Sequence, residues 1–171
     1  MRRMFVCYWL FFCVGSLAQT TNNPLGQPVV PKAEMQTNHN IGPIRCSILC
    51  TNDSGRIWVE ATFSNSTEQA VALLERNLLR TNDLTWSAFQ VARNGQPVPY
   101  IGVTIKRPPP GPRDFYKIKP HESVVSKIDL SRCYDFTRPG DYTIQYLAVN
   151  PPFAGSPLFV IQSAPVSVRT R

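Results

Sequence analysis

Between Ile44 and Val168 apolar residues recur at alternate positions in short runs, each closed by Gly, Asn, Asp, Ser or Pro. That period of two marks half-buried strands, because successive side chains of a strand leave opposite faces. Ile44 to Cys50 predicts a first strand, ended by Asn52-Asp53-Ser54-Gly55. The next run is the clearest, with Ile57, Val59, Ala61 and Phe63 alternating with Trp58, Glu60, Thr62 and Ser64 up to Asn65-Ser66. Ala70 to Leu79 fits either a short helix or a strand, and its neighbours favour a strand at its start. Trp86 to Val91 and Val98 to Ile105 flank Arg93-Asn94-Gly95-Gln96, whose Asn-Gly pair tolerates the positive φ of a tight hairpin turn. Val124, Ile128 and Leu130 share one face of a later strand. Tyr142 to Val149 and Leu158 to Val168 complete the series.

The Tyr142 run begins in an informative way. In Gly140-Asp141-Tyr142-Thr143-Ile144-Gln145-Tyr146, a Gly-Asp pair precedes a Tyr at a strand start. This is the pattern of a tyrosine corner, in which the phenol hydrogen-bonds to backbone a few residues upstream in Greek-key sandwiches. About eight short strands at this spacing, without helical heptads, predict an all-β, immunoglobulin-like antiparallel β-sandwich over residues 43–171. Ile57, Val59, Phe63, Ile128, Leu130 and Ile144 are its expected core, and Tyr142 its structural anchor.

The beginning of the chain reads differently. Arg2 and Arg3 precede an apolar run from Met4 to Val14 and then Ser16-Leu17-Ala18, the layout of a secretory signal peptide over residues 1–18. The run is too short to span a bilayer. A lipoprotein reading of Cys13 and a twin-arginine reading of Arg2-Arg3 fit less well, since bulky Phe precedes the Cys and the run is very apolar. Residues 19–42, rich in Thr, Asn, Gln and Pro, bury too little apolar surface to offset their ordering entropy and are expected to form a flexible tether. Removing 18 of the 171 residues leaves 153, enough for one domain, with 16 Lys and Arg against 11 Asp and Glu. That mild, dispersed excess of positive charge gives no reason to expect nucleic acid as a partner. No second run suits a membrane span. The expected location is outside the cytoplasm, periplasmic or extracellular.

Three cysteines remain in the exported chain, so at most one internal disulfide forms. Cys46 and Cys50 on one extended strand stand about 13 Å apart, too far to bond. Cys50 and Cys133 are expected at the same pole of the sandwich and are predicted to pair, leaving Cys46 a thiol; Cys46–Cys133 is the alternative. Asn52-Asp53-Ser54 and Asn65-Ser66-Thr67 are glycosylation triplets, meaningful only in a eukaryotic secretory pathway. No catalytic constellation emerges. His121-Glu122 opens like a zinc-protease helix, but Val125 stands where the second histidine belongs. There is no Gly-x-Ser-x-Gly elbow, no phosphate-binding Gly-rich loop and no paired acid and base. The expectation is a non-enzyme without cofactor or metal.

The distinctive surface segment is Lys106 to Pro120. It holds Lys106, Arg107, Arg113, Lys117 and Lys119 against one acid, Asp114, with Pro108-Pro109-Pro110 stiffening its middle. Polyproline conformations lose little entropy on binding, and Arg and Tyr are favoured at interface centres. Lys106, Arg107, Arg113, Phe115, Tyr116, Lys117 and Lys119 are therefore the candidate partner-binding residues, with Phe115 or Tyr116 as the anchor. The plainer reading is a solvated connection between two strands.

Several motifs also carry a resemblance. Phe89-Gln90-Val91 with Arg93 to Gly102, Lys106-Arg107-Pro108, Lys119-Pro120-His121-Glu122-Ser123, Asp129-Leu130-Ser131, Tyr134-Asp135 and Gly140 to Tyr146 follow one another over roughly Ile44 to Val149. In order and spacing this region resembles the N-terminal (pro-)domain that precedes the catalytic domain in bacterial aspzincin metalloendopeptidases, the deuterolysin-like, peptidyl-lysine enzymes. The pattern departs from that family at His121, where a Gly is usual, and in its three cysteines. These 171 residues contain no His-Glu-x-x-His. The resemblance therefore implies a pro-domain-like module that binds, inhibits or chaperones a secreted metalloprotease in trans. A protease pocket that accepts lysine is expected to be acidic, which suits the basic loop. The alternative is a structural or adhesive surface domain with no protease partner.

Overall fold

The computed structural model describes residues 42–81 and 84–171. The expected signal peptide and nearly all of the expected tether lie outside these residues. Among them ten strands and three 3-10 turns occur, with no α-helix and hence no helix long and apolar enough to cross a membrane.

The strands are β1 (Ile44–Asp53), β2 (Arg56–Asn65), β3 (Val71–Leu74), β4 (Phe89–Arg93), β5 (Gln96–Pro97), β6 (Phe115–Ile118), β7 (Ser123–Asp129), β8 (Gly140–Asn150), β9 (Phe159–Gln162) and β10 (Val166–Thr170). One sheet has the order β1-β2-β7. The other has the order β10-β8-β4-β5, with β9 also on β8, and β3 pairs with β6 in a separate ribbon. Every pairing is antiparallel. The chain is an all-β sandwich, as the alternation predicts.

Turn chemistry sets the two tight hairpins. Ser54-Gly55 joins β1 to β2 and Asn94-Gly95 joins β4 to β5, all four residues at positive φ, as two-residue turns that match strand twist require. β2 follows its pattern, with Ile57, Val59, Ala61 and Phe63 fully buried. Across the sandwich the ring of Phe63 meets Tyr146 of β8 edge-on at 5.4 Å, and Phe89 of β4 also meets Tyr146 edge-on at the same distance. Edge-to-face contacts of this kind favour the aromatic quadrupoles and bury large apolar areas. Ile128, Leu130 and Ile144 are also buried in this core. The Tyr142 hydroxyl donates to the Arg138 carbonyl at 2.8 Å, four residues upstream, closing the tyrosine corner.

Four details differ from the sequence expectations. Leu130 faces the core from a 3-10 turn (Leu130–Arg132) just past β7. Val98 to Ile105 is mostly not a strand; only Tyr100 bridges, to Tyr134. Leu158 to Val168 is broken into β9 and β10. There Ser163, Ala164 and Pro165 stand opposite only two residues of β8, Gln145 and Tyr146. Pro165 has no N–H for the ladder, so the extra residue is taken up as a bulge. The Lys106–Pro120 connection contains a strand of its own, β6. If Phe63 is the central inter-sheet contact, Phe63→Ala costs about 3–5 kcal/mol in urea unfolding; a loss below about 1 kcal/mol would contradict that role.

Candidate functional site

The candidate surface is carried by the β3–β6 ribbon, which two buried asparagines hold to the sandwich. Asn150, fully buried at the end of β8, accepts a hydrogen bond from the Leu74 amide at 2.8 Å and donates to the Ala72 carbonyl at 3.1 Å. Its carboxamide thus serves β3 as a one-residue strand partner on the edge away from β6. Asn65, at the end of β2, donates to the carbonyls of Gln69, Ile118 and Lys119 and accepts from Thr67. Its Nδ2 is therefore occupied, and the residue is 1% exposed, so the triplet Asn65-Ser66-Thr67 serves the fold rather than glycosylation. After β3 the chain makes a 3-10 turn, Glu75–Leu78. The buried Tyr146 hydroxyl donates to the Asn77 carbonyl at 2.6 Å and the Asn77 side chain donates to the Val149 carbonyl at 3.1 Å, which ties that turn to β8.

Opposite this turn runs the proline-rich loop. Thr85 anchors its start, accepting from the Ile105 amide at 3.2 Å through its carbonyl and from Arg107 at 3.1 Å through its hydroxyl. A short 3-10 turn, Pro112–Asp114, closes the loop: the Asp114 carboxylate accepts from the Gly111 amide at 2.7 Å. Between loop and turn lies an open groove of about 340 Å³ whose walls include Leu74, Arg76, Arg80, Arg107, Pro108 and Pro110.

Lys106, Arg107, Arg113, Lys117 and Lys119 are all exposed, but only Arg107 of the five lines the groove. The expected aromatic anchors are engaged within the molecule. Phe115 stacks on Phe153 at 4.0 Å, and the Arg80 guanidinium lies 4.8 Å above the Tyr116 ring. Both contacts help hold β6 in place, and both rings remain half-buried. Sequence reasoning missed the segment just upstream, where Ile101, Val103 and Ile105 are 62%, 69% and 46% exposed. Their alternation predicted a strand with a buried face. Instead the Tyr100 hydroxyl, bonded to the Leu84 carbonyl at 2.6 Å and close to that of Val103 at 2.9 Å, holds the segment away from the sheets. Burial pushes the Tyr100 phenol up to about 12. The ring passes so close to Gly102 that a Cβ there would lie 2.5 Å from its hydroxyl. Arg76 and Arg80, outside the loop, were also missed.

Lys119-Pro120-His121-Glu122 is a turn with Pro120 second and His121 third at φ 59°, the type II arrangement in which Gly is usual at the third position. The His121 ring lies 3.2 Å from the Glu68 carboxylate, both exposed. Among the described residues, no three His, Cys, Asp or Glu side chains gather as a metal site.

The expected Cys50–Cys133 bridge is not formed; Cys46, Cys50 and Cys133 are thiols. β1 and β7 pair with opposite edges of β2, and Cys133 lies past β7, beyond the Leu130–Arg132 turn, with its sulfur 4.0 Å from the Leu84 carbonyl. Cys46 and Cys50 face inward against the core. Burial pushes their thiols up to about 12 and about 11.

No family model matches the chain. Over 91 residues it is 38% identical to an extracellular protease of Aeromonas hydrophila, a match covering 53% of this chain and 26% of that protein. This chain thus shares a segment with a secreted protease but spans only about a quarter of its length.

The thiols give a pH prediction. Because folding raises both pKa values above the ordinary value of 9.0, the native state holds these protons more tightly. Their contribution to stability is complete below pH 9 and is lost as pH rises through 11 to 12. At pH 8 native Cys50 should react with a thiol reagent about a hundred-fold more slowly than in denaturant, and Cys46 more slowly still. Equal rates in the two conditions would contradict their burial.

Proposed function

We propose that this chain is an exported, non-catalytic β-sandwich module that binds a secreted metalloprotease in trans and restrains or chaperones it, working in the periplasm or the extracellular space. The observation that carries this reading is the 38% identity to a segment amounting to 26% of an extracellular protease. The motif series resembling aspzincin pro-domains points to the same partner class. Two surface features support a binding role. Ile101, Val103 and Ile105 leave apolar side chains in water beside the loop, and contiguous exposed apolar groups mark interaction surfaces. The adjoining basic residues suit a protease whose lysine-accepting pocket is acidic, and opposite charges accelerate encounter. The hydrogen bonds of Thr85 and Asp114 at the two ends of the loop reduce the ordering cost of docking.

Single alanines at exposed rim charges change affinity little, so the informative variant replaces Lys106, Arg107 and Arg113 together with Glu. Association with an aspzincin, followed at low and at physiological salt, should slow at least ten-fold at low salt and lose most of its salt dependence. Unchanged association rates would make the loop a plain connector. No association by the wild-type chain would leave the structural or adhesive reading.

A further inference from the structure

Three guanidinium groups line the groove between the Glu75–Leu78 turn and the proline segment, and those of Arg76 and Arg107 are held by contacts that leave their charge available. Arg76 lies over the Trp86 ring at 5.9 Å, Arg80 over Tyr116 at 4.8 Å, and Arg107 donates to the neutral Thr85 hydroxyl. The two acids at the groove are already engaged: Glu75 stands 3.9 Å from Arg80, and Asp114 accepts from Gly111. Among the described residues no carboxylate pairs with Arg76 or Arg107. A guanidinium with one side covered by a ring still presents its N–H fork, the donor geometry that matches a carboxylate. Leu74, Pro108 and Pro110 lie among these charges and offer apolar wall to aliphatic stems, which a bare inorganic anion would not use.

Deepening the reading given under Proposed function, we propose that this groove receives an extended acidic peptide segment of the protein partner, with two of its carboxylates on Arg76 and Arg107. The chain itself is a poor source of that segment. Residues 19–42 contain one acid, Glu34, beside Lys32, and a second copy brings the same positive excess. At about 340 Å³ the groove is at the small end of ligand sites, suited to a short stretch of chain.

The test uses the full chain and a fluorescent eight-residue peptide of alternating Asp and Ala, followed by anisotropy at 150 mM salt. Saturable binding is expected, with at least ten-fold weaker binding of the Asn-for-Asp peptide. Arg76→Gln with Arg107→Gln should weaken binding at least ten-fold. Lys117→Gln with Lys119→Gln, an equal loss of charge outside the groove, should change it less than three-fold. Arg76→Lys with Arg107→Lys keeps charge and packing stem but loses the forks, so several-fold weakening is expected even if the glutamine variant folds poorly. Equal losses in the two glutamine doubles, or tighter binding of inorganic phosphate or a heparin tetrasaccharide, would overturn the proposal. Peptide binding without any protease association would sink the protease reading and leave the groove. Loop-dependent protease association without peptide binding would do the reverse.

Discussion

The candidate surface depends on two side-chain carboxamides standing in for a strand. β3 and β6 form a ribbon of four residue pairs, and two-stranded ribbons are marginal in water on their own. Asn150 supplies β3 with both a donor and an acceptor on its free edge, and Asn65 gathers three carbonyls at the other end of the ribbon. Both asparagines are essentially buried, where an unmatched amide costs about 1–3 kcal/mol. Because the local partners are satisfied, burial favours this docked arrangement over a solvated ribbon.

This constraint links core to surface. Tyr146 packs its ring against Phe63 and Phe89 in the core of the sandwich and places its hydroxyl on the carbonyl of Asn77, the residue next to Arg76. Four residues later on the same strand, Asn150 holds β3. β8 therefore positions one wall of the groove through side chains of its inward face. The opposite wall is held by β6, by Thr85 and by the prolines. The result is a set of arginines held in place beside a rigid loop, which can present charge without first having to be ordered.

Much of the sandwich was legible in the chain because its signals are local. Alternation in β2, the Asn94-Gly95 turn and the Gly140-Asp141-Tyr142 corner each depend on residues within one strand or turn. The site was only partly legible because it depends on contacts distant in sequence. Asn150 and Leu74 lie 76 residues apart, and nothing near Asn150 announces an amide serving another strand. β6 is hidden among prolines and charges, and the contacts of its Phe115 and Tyr116 with Phe153 and Arg80 join residues distant in sequence. The disulfide expectation rested on placing Cys133 at the end of a strand beside that of Cys50, whereas Cys133 follows a 3-10 turn and β7 lies across β2 from β1.

The central claim is that Asn150 holds the ribbon in register with the sandwich, and amide hydrogen exchange in an Asn150→Ala variant tests it most directly. Local opening exposes amides in cooperative units, so loss of the clamp should appear in the ribbon first. Leu74 and the paired amides of β3 and β6 should lose at least ten-fold protection while those joining β2 to β7 keep theirs. Unchanged protection in the ribbon, or equal loss in both sheets, would contradict it.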